Sequence, residues 1–143
     1  MRDSVTLDFK VLKEFWDTYT LNDGTRLKSR VVLTGVKKSK INPEKEYEFD
    51  FQSIQSFVFS DKSGGSPHNR AYTKEELESS YNKGITFTTD SEKWNEYLLD
   101  DGTKVRLKNS VTEIAKSDLF LQNGDPIYNV KIRVLSKVKR VRN

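Results

Sequence analysis

The phrase FWDTYTLNDGTRLKSR at residues 15 to 30 returns as KWNEYLLDDGTKVRLK at residues 93 to 108. A chain that writes one phrase twice must fold it twice, and no other feature of this sequence restricts its architecture as much. At a constant offset of 78, Trp16 meets Trp94, Tyr19 meets Tyr97, Leu21 meets Leu99, and Asp23-Gly24-Thr25 meets Asp101-Gly102-Thr103. Upstream, Leu7 and Phe9 meet Ile85 and Phe87; downstream, Leu33-Thr34 and Val36 meet Val111-Thr112 and Ile114, with Lys38 on Lys116. After a shift of three, Tyr47 to Phe51 aligns with Tyr128 to Ile132. Four segments in order, with the gap in a loop, indicate two diverged copies of one unit.

Each copy reads as β. Val5, Leu7, Phe9 and Val11 alternate along one face of a strand whose centre Ile85 and Phe87 repeat. Asn22-Asp23-Gly24 and Asp100-Asp101-Gly102 are hairpin turns in which glycine accepts the positive φ. Beyond those turns Leu27, Val31 and Leu33 share a face, as do Val105, Leu107 and Val111, and closing strands that begin at Tyr47 and Tyr128 alternate in the same way. The expected fold is mainly β: two small antiparallel, barrel-like units of SH3-like or OB-like size, over 4–59 and 83–142. With only 143 residues to share, each unit has a thin core, which favours pseudo-symmetric packing of one against the other.

The linker, 60–82, begins with the small and polar SDKSGGSPHNR, a loop. Thr73 and Glu76 stand at capping-box spacing and Tyr72 and Leu77 at staple spacing, which predicts a short helix over 74–82 stopped by a left-handed cap at Gly84.

Bulk from 8 Phe, 6 Tyr and 2 Trp marks the chain as folded although 32% of it is charged. It has no cysteine, hence neither a disulfide framework nor a thiolate zinc site. Its one histidine, His68, falls in the polar loop and reads as a solvated linker residue. Asp100-Asp101 has a turn reading, repeated by Asn22-Asp23, and no HExxH, DxDxDG or phosphate-loop spacing occurs. No enzymatic activity, metal or cofactor is therefore expected. Without a long apolar run or a leader-like start, the expectation is a soluble, cytoplasmic protein with no membrane contact.

The remaining signal is basic. Opposite the apolar face of the strand that leaves each turn stand Arg26, Lys28 and Arg30 in one copy and Lys104, Arg106 and Lys108 in the other. Period-two spacing makes each set a ladder with a step of about 7 Å. From Pro126 onward Lys131, Arg133, Lys137, Lys139, Arg140 and Arg142 occur with no acid, and these six charges exceed the net +4 of the chain. Localised positive charge of this kind suits sequence-independent contact with phosphates, with Trp16 and Trp94 available to stack on bases. The expected function is non-enzymatic binding of nucleic acid backbone, RNA (the ribosome included) ahead of DNA. The alternative is a protein-interaction module that uses a sheet edge or the cleft between units, with an acidic protein as partner and the ladders as ordinary wet strand faces.

Overall fold

A computed structural model of the chain describes residues 3–41, 46–61, 63–81 and 83–140. The first copy supplies β1 (Ser4–Leu7), β2 (Phe9–Lys13), β3 (Asp17–Leu21), β4 (Arg26–Ser39) and β5 (Tyr47–Val58). The second supplies β6 (Lys83–Ile85), β7 (Phe87–Ser91), β8 (Asn95–Leu99), β9 (Lys104–Phe120) and β10 (Pro126–Lys139), with α1 (Lys74–Ser79) between them. The fold is mainly β, as expected, and consists of two antiparallel sheets.

Sheet A is ordered β1-β4-β3-β7 with β5 on the other edge of β4; sheet B is ordered β10-β9-β8-β2 with β6 also on β9. The second strand of each copy therefore lies in the other copy's sheet: β2 pairs with β8, and β7 pairs with β3. Each sheet draws strands from both copies.

The crossing occurs where alternation gave no warning. Val5 to Val11 reads as one strand, but the chain leaves sheet A at Asp8, whose carbonyl accepts the Asp100 N–H at 2.9 Å, and enters sheet B at Phe9. Thr86 does the same in the second copy, its carbonyl accepting the Asn22 N–H at 3.0 Å. This corrects the barrel expectation: the sheets are open, because the strands that would have to close each unit are spent on the other.

The cores follow the same exchange. One cluster joins Val31, Leu33 and Val36 of β4 to Tyr97, Leu99, Val105 and Leu107 of β8 and β9. The other joins Tyr19, Leu21 and Leu27 to Val111 and Ile114. Between them Asn109 Nδ2 donates to Ser29 Oγ at 2.9 Å and Asn95 Nδ2 to the Val31 carbonyl at 3.0 Å, so the buried polar groups there tie one sheet to the other.

The hairpin turns form as their residues dictate. Gly24 and Gly102 both have φ near +87°, and Asp23 and Asp101 each accept a backbone N–H two residues on. A third such turn, Asn123-Gly124 with φ +90° at Gly124, links β9 to β10.

The capping box at Thr73 and Glu76 is present, but the helix ends earlier than its pattern suggests. Ser80 takes over: its hydroxyl reaches the Leu77 carbonyl and Ser117 Oγ, both at 2.6 Å, and its carbonyl accepts the Asp118 N–H at 3.1 Å. These bonds pull the chain onto β9, so Gly84 belongs to β6 and not to a left-handed cap. Among the described residues no helix is long and apolar enough to cross a membrane.

Candidate nucleic-acid interface

In an antiparallel pair, residues directly opposite one another share a face. On β9, Val105 and Leu107 point into the core, which leaves Lys104, Arg106 and Lys108 outside. The register with β10 sets Lys139 opposite Lys104, Lys137 opposite Arg106, Leu135 opposite Lys108 and Arg133 opposite Ser110. The second ladder and most of the C-terminal basic residues thus merge on the outer face of sheet B.

Trp94 lies half-buried at the centre of this face. Lys137 Nζ is 4.7 Å from its ring centroid, the Arg106 guanidinium 5.4 Å and Lys108 Nζ 5.8 Å. The negative ring face attracts all three heads and so gathers like charges that would otherwise repel one another. Two acids bear on the cluster: Glu96 lies 3.6 Å from Arg106 and 3.8 Å from Lys13, and Glu92 lies 3.8 Å from Lys108. Among the described residues Lys104, Arg133, Lys137 and Lys139 form no ion pair. Lys131 is matched by Glu113 at 3.4 Å, and Arg140 by Glu46. Arg142 lies outside the described residues.

The first ladder sits apart. Arg26, Lys28 and Arg30 are on the outer face of sheet A, and because both inner faces meet in the shared cores, the two ladders do not join. Opposite them on β5 stand Val58, Ser56 and Ile54, where sheet B has Lys139, Lys137 and Leu135. Trp16 is 39% exposed and carries one cation, Arg30, at 5.2 Å, itself 3.5 Å from Glu14. Two scaffolds with the same pairing therefore carry different outer faces, and the added positive charge is on β10.

The chain matches no protein-family model, no curated protein and no solved structure.

The repeated phrase itself is mostly scaffold. Tyr19, fully buried, donates to Glu92 at 2.5 Å, and Tyr97, equally buried, donates to Glu14 at 2.9 Å. Burial and the neighbouring carboxylate push both phenols well above their usual range. Tyr128 donates to Asp23 and Tyr47 to Asp101, residues that the sequence repeat aligns, with Lys116 and Lys38 alongside. Burial works against the Asp101 carboxylate, but hydrogen bonds from Thr103, Tyr47 and Lys38 outweigh it and hold its pKa at about 2. Asp23 is lowered in the same way by Tyr128, Thr25 and Lys116, against its burial, and Tyr128 is pushed up to about 12, chiefly by burial and by Asp23. Glu14 and Glu92, also at the repeat offset, are the partners that the sequence signal could have supplied and that composition arguments passed over.

His68 is not a free linker side chain. Its Nδ1 accepts the Arg70 N–H at 3.1 Å, which leaves the ring proton on Nε2 to donate to the Phe120 carbonyl at 2.8 Å. The loop around it is pinned to the β9–β10 turn, with the Gly65 N–H donating to the Gly124 carbonyl at 2.8 Å. Among the described residues no group of histidines and carboxylates is arranged to hold a metal.

Proposed function

We propose that this protein binds the phosphate backbone of nucleic acid, RNA ahead of DNA, through the outer face of sheet B, and that it does so without catalysis. The observation that carries this reading is the register of β9 with β10, which sets Lys104 beside Lys139 and Arg106 beside Lys137 around Trp94. Arg106 has Glu96 beside it, but Lys104, Lys137 and Lys139 form no ion pair among the described residues. Neighbouring cations left unmatched are costly to assemble unless an anion completes them, and phosphate contacts of this type position a ligand without reading its sequence. A cytoplasmic RNA surface, ribosomal RNA included, suits this chemistry. We further infer that the two copies arose by duplication and pack pseudo-symmetrically, with sheet B specialised for the ligand and sheet A as a diverged partner.

The test compares the parent with two variants on labelled single-stranded RNA, structured RNA and duplex DNA across a salt series. One variant, Lys137→Ser with Lys139→Val, writes the residues of β5 onto β10; the other, Arg26→Ser with Lys28→Ser, strips sheet A. The expected result is a salt-sensitive affinity that only the first variant weakens and makes less salt-dependent. Failure of the parent to bind any probe at 50 mM salt, or identical behaviour of all three proteins, overturns the proposal.

A protein partner is favoured by one separate observation. Among the described residues β5 pairs only with β4, and its outer face exposes Ile54 and Val58 at 44% and 51%. An added strand on that edge would cover them. That reading takes over if the polynucleotide test fails.

A further inference from the structure

On sheet B the positive charge narrows to a line along the seam between β9 and β10, in which Lys104, Lys139, Lys137 and Arg133 form no ion pair among the described residues while Arg106 and Lys108 are shared with Glu96 and Glu92. Its successive rungs are Lys104 with Lys139, Arg106 with Lys137, Lys108 with Leu135, and Ser110 with Arg133. Every rung holds at least one cation. Rungs lie about 7 Å apart, close to the distance between neighbouring phosphates of an extended strand, so four of them make a line of roughly 20 Å.

The line has sides and an end. Towards β8, Leu98 stands beside Lys104 and Glu96 beside Arg106, so the positive charge falls away within one strand spacing. On the other side β10 has no neighbouring strand among the described residues. Two strands from β9, Lys13 is engaged by Glu96. Past Arg133 the next outward residue of β10 is Lys131, whose cross-strand partner in the rung is Glu113 itself, 3.4 Å away, and a rung that carries its own carboxylate closes the line.

We propose that this seam is a lengthwise track for one polynucleotide strand, with one phosphate at each of four rungs and Trp94 as the positioning residue that holds the second and third rungs in place. This rests on the nucleic-acid reading above and adds to it the form of the ligand and the number of contacts. A duplex presents two backbones separated by a groove, whereas the line is one hairpin wide. The cations over the Trp94 ring make it an organiser of charge before it is a platform for bases.

The experiment measures binding of the full chain to oligouridylates and oligothymidylates of two to twelve nucleotides and to a twelve-base-pair duplex. Affinity is expected to climb steeply up to five nucleotides, the length that carries four phosphates, and then to rise only with the number of ways a longer strand can sit. Four neutralised phosphates on a single strand predict a salt slope of about −3, or a roughly 50-fold loss of affinity between 50 and 200 mM salt. Arg133→Ser should move the break to four nucleotides and reduce that loss to roughly 20-fold. The track is overturned by a duplex bound as tightly as the single strand of equal length, by a smooth length dependence with no break, or by Arg133→Ser matching the parent while Lys137→Ser weakens binding. Each of those outcomes leaves the broader nucleic-acid reading intact. Absence of binding to every probe at low salt overturns both.

Discussion

Asp17 shows what a single side chain of the repeated phrase can cost. It is 2% exposed and its carboxylate sits at the position that Asn95 fills in the other copy. Asn95 accepts the Phe15 N–H at 3.0 Å and Asp17 accepts the Lys93 N–H at 2.9 Å, so the backbone bond is the same. The charge is the difference. Burial, helped by Glu92, raises the Asp17 pKa from 3.8 to about 6, against the hydrogen bonds of Lys93 and Asn109 and the charge of Lys108. An acid with a raised pKa in the fold stabilises it when protonated. That contribution is complete below about pH 4 and is lost as the pH rises through about 6. Asp17→Asn is therefore expected to be more stable than the parent by roughly 1–3 kcal/mol at pH 7.5, and equal to it near pH 4. Denaturant unfolding at the two pH values checks this, and a variant no more stable than the parent at pH 7.5 refutes it.

Turns and caps were the elements most legible in the sequence, because their determinants are local. Asp23-Gly24, Asp101-Gly102 and the Thr73–Glu76 box all act within a few residues, and all form. What depended on distant pairing was not legible. The break at Asp8 is invisible to alternation, since the partner that splits the strand is Asp100. The outward-facing ladders could be read from period-two spacing alone. The pairing of Lys104 with Lys139, which makes a site of them, depends on the register of β9 with β10, shifted by a bulge near Thr112. Asn123-Gly124 was a local signal as plain as the other two turns, and it carries an extra constraint. A Cβ on Gly124 would lie 2.3 Å from the Gly65 carbonyl oxygen, whereas one on Gly24 would meet only the Ser60 side chain, at 3.3 Å. Both glycines have positive φ. Gly24→Ala should cost about 1–2 kcal/mol from backbone strain, and Gly124→Ala distinctly more, since the linker must also move. Equal losses on thermal or denaturant unfolding would mean that the linker gives way freely.

The exchange of β2 and β7 makes a statement about the chain as one body. Neither sheet is complete with strands from one copy, and each core cluster takes side chains from both. The covalent link through 60–82 is then not what keeps the copies together. The β2–β8 and β3–β7 ladders, the clamps of Tyr97 on Glu14 and Tyr19 on Glu92, and two shared cores cross between them independently of it. Closing that loop matters for how readily the copies meet, a term that changes slowly with loop length, and much less for whether they stay together. A protease site inserted after the exposed Asn69 tests this directly. Cut while folded, the protein should elute as one species of unchanged mass, keep its far-UV spectrum, and separate into two unfolded pieces only in denaturant and in a single transition. Two folded fragments that elute apart would show that each copy closes its own sheet, and the strand exchange would then have to be given up. Binding measured on the cut protein adds a second readout. The sheet B face takes β8, β9 and β10 from the second copy and β2 from the first, so its affinity for single-stranded oligonucleotide should survive the cut and disappear when the pieces part.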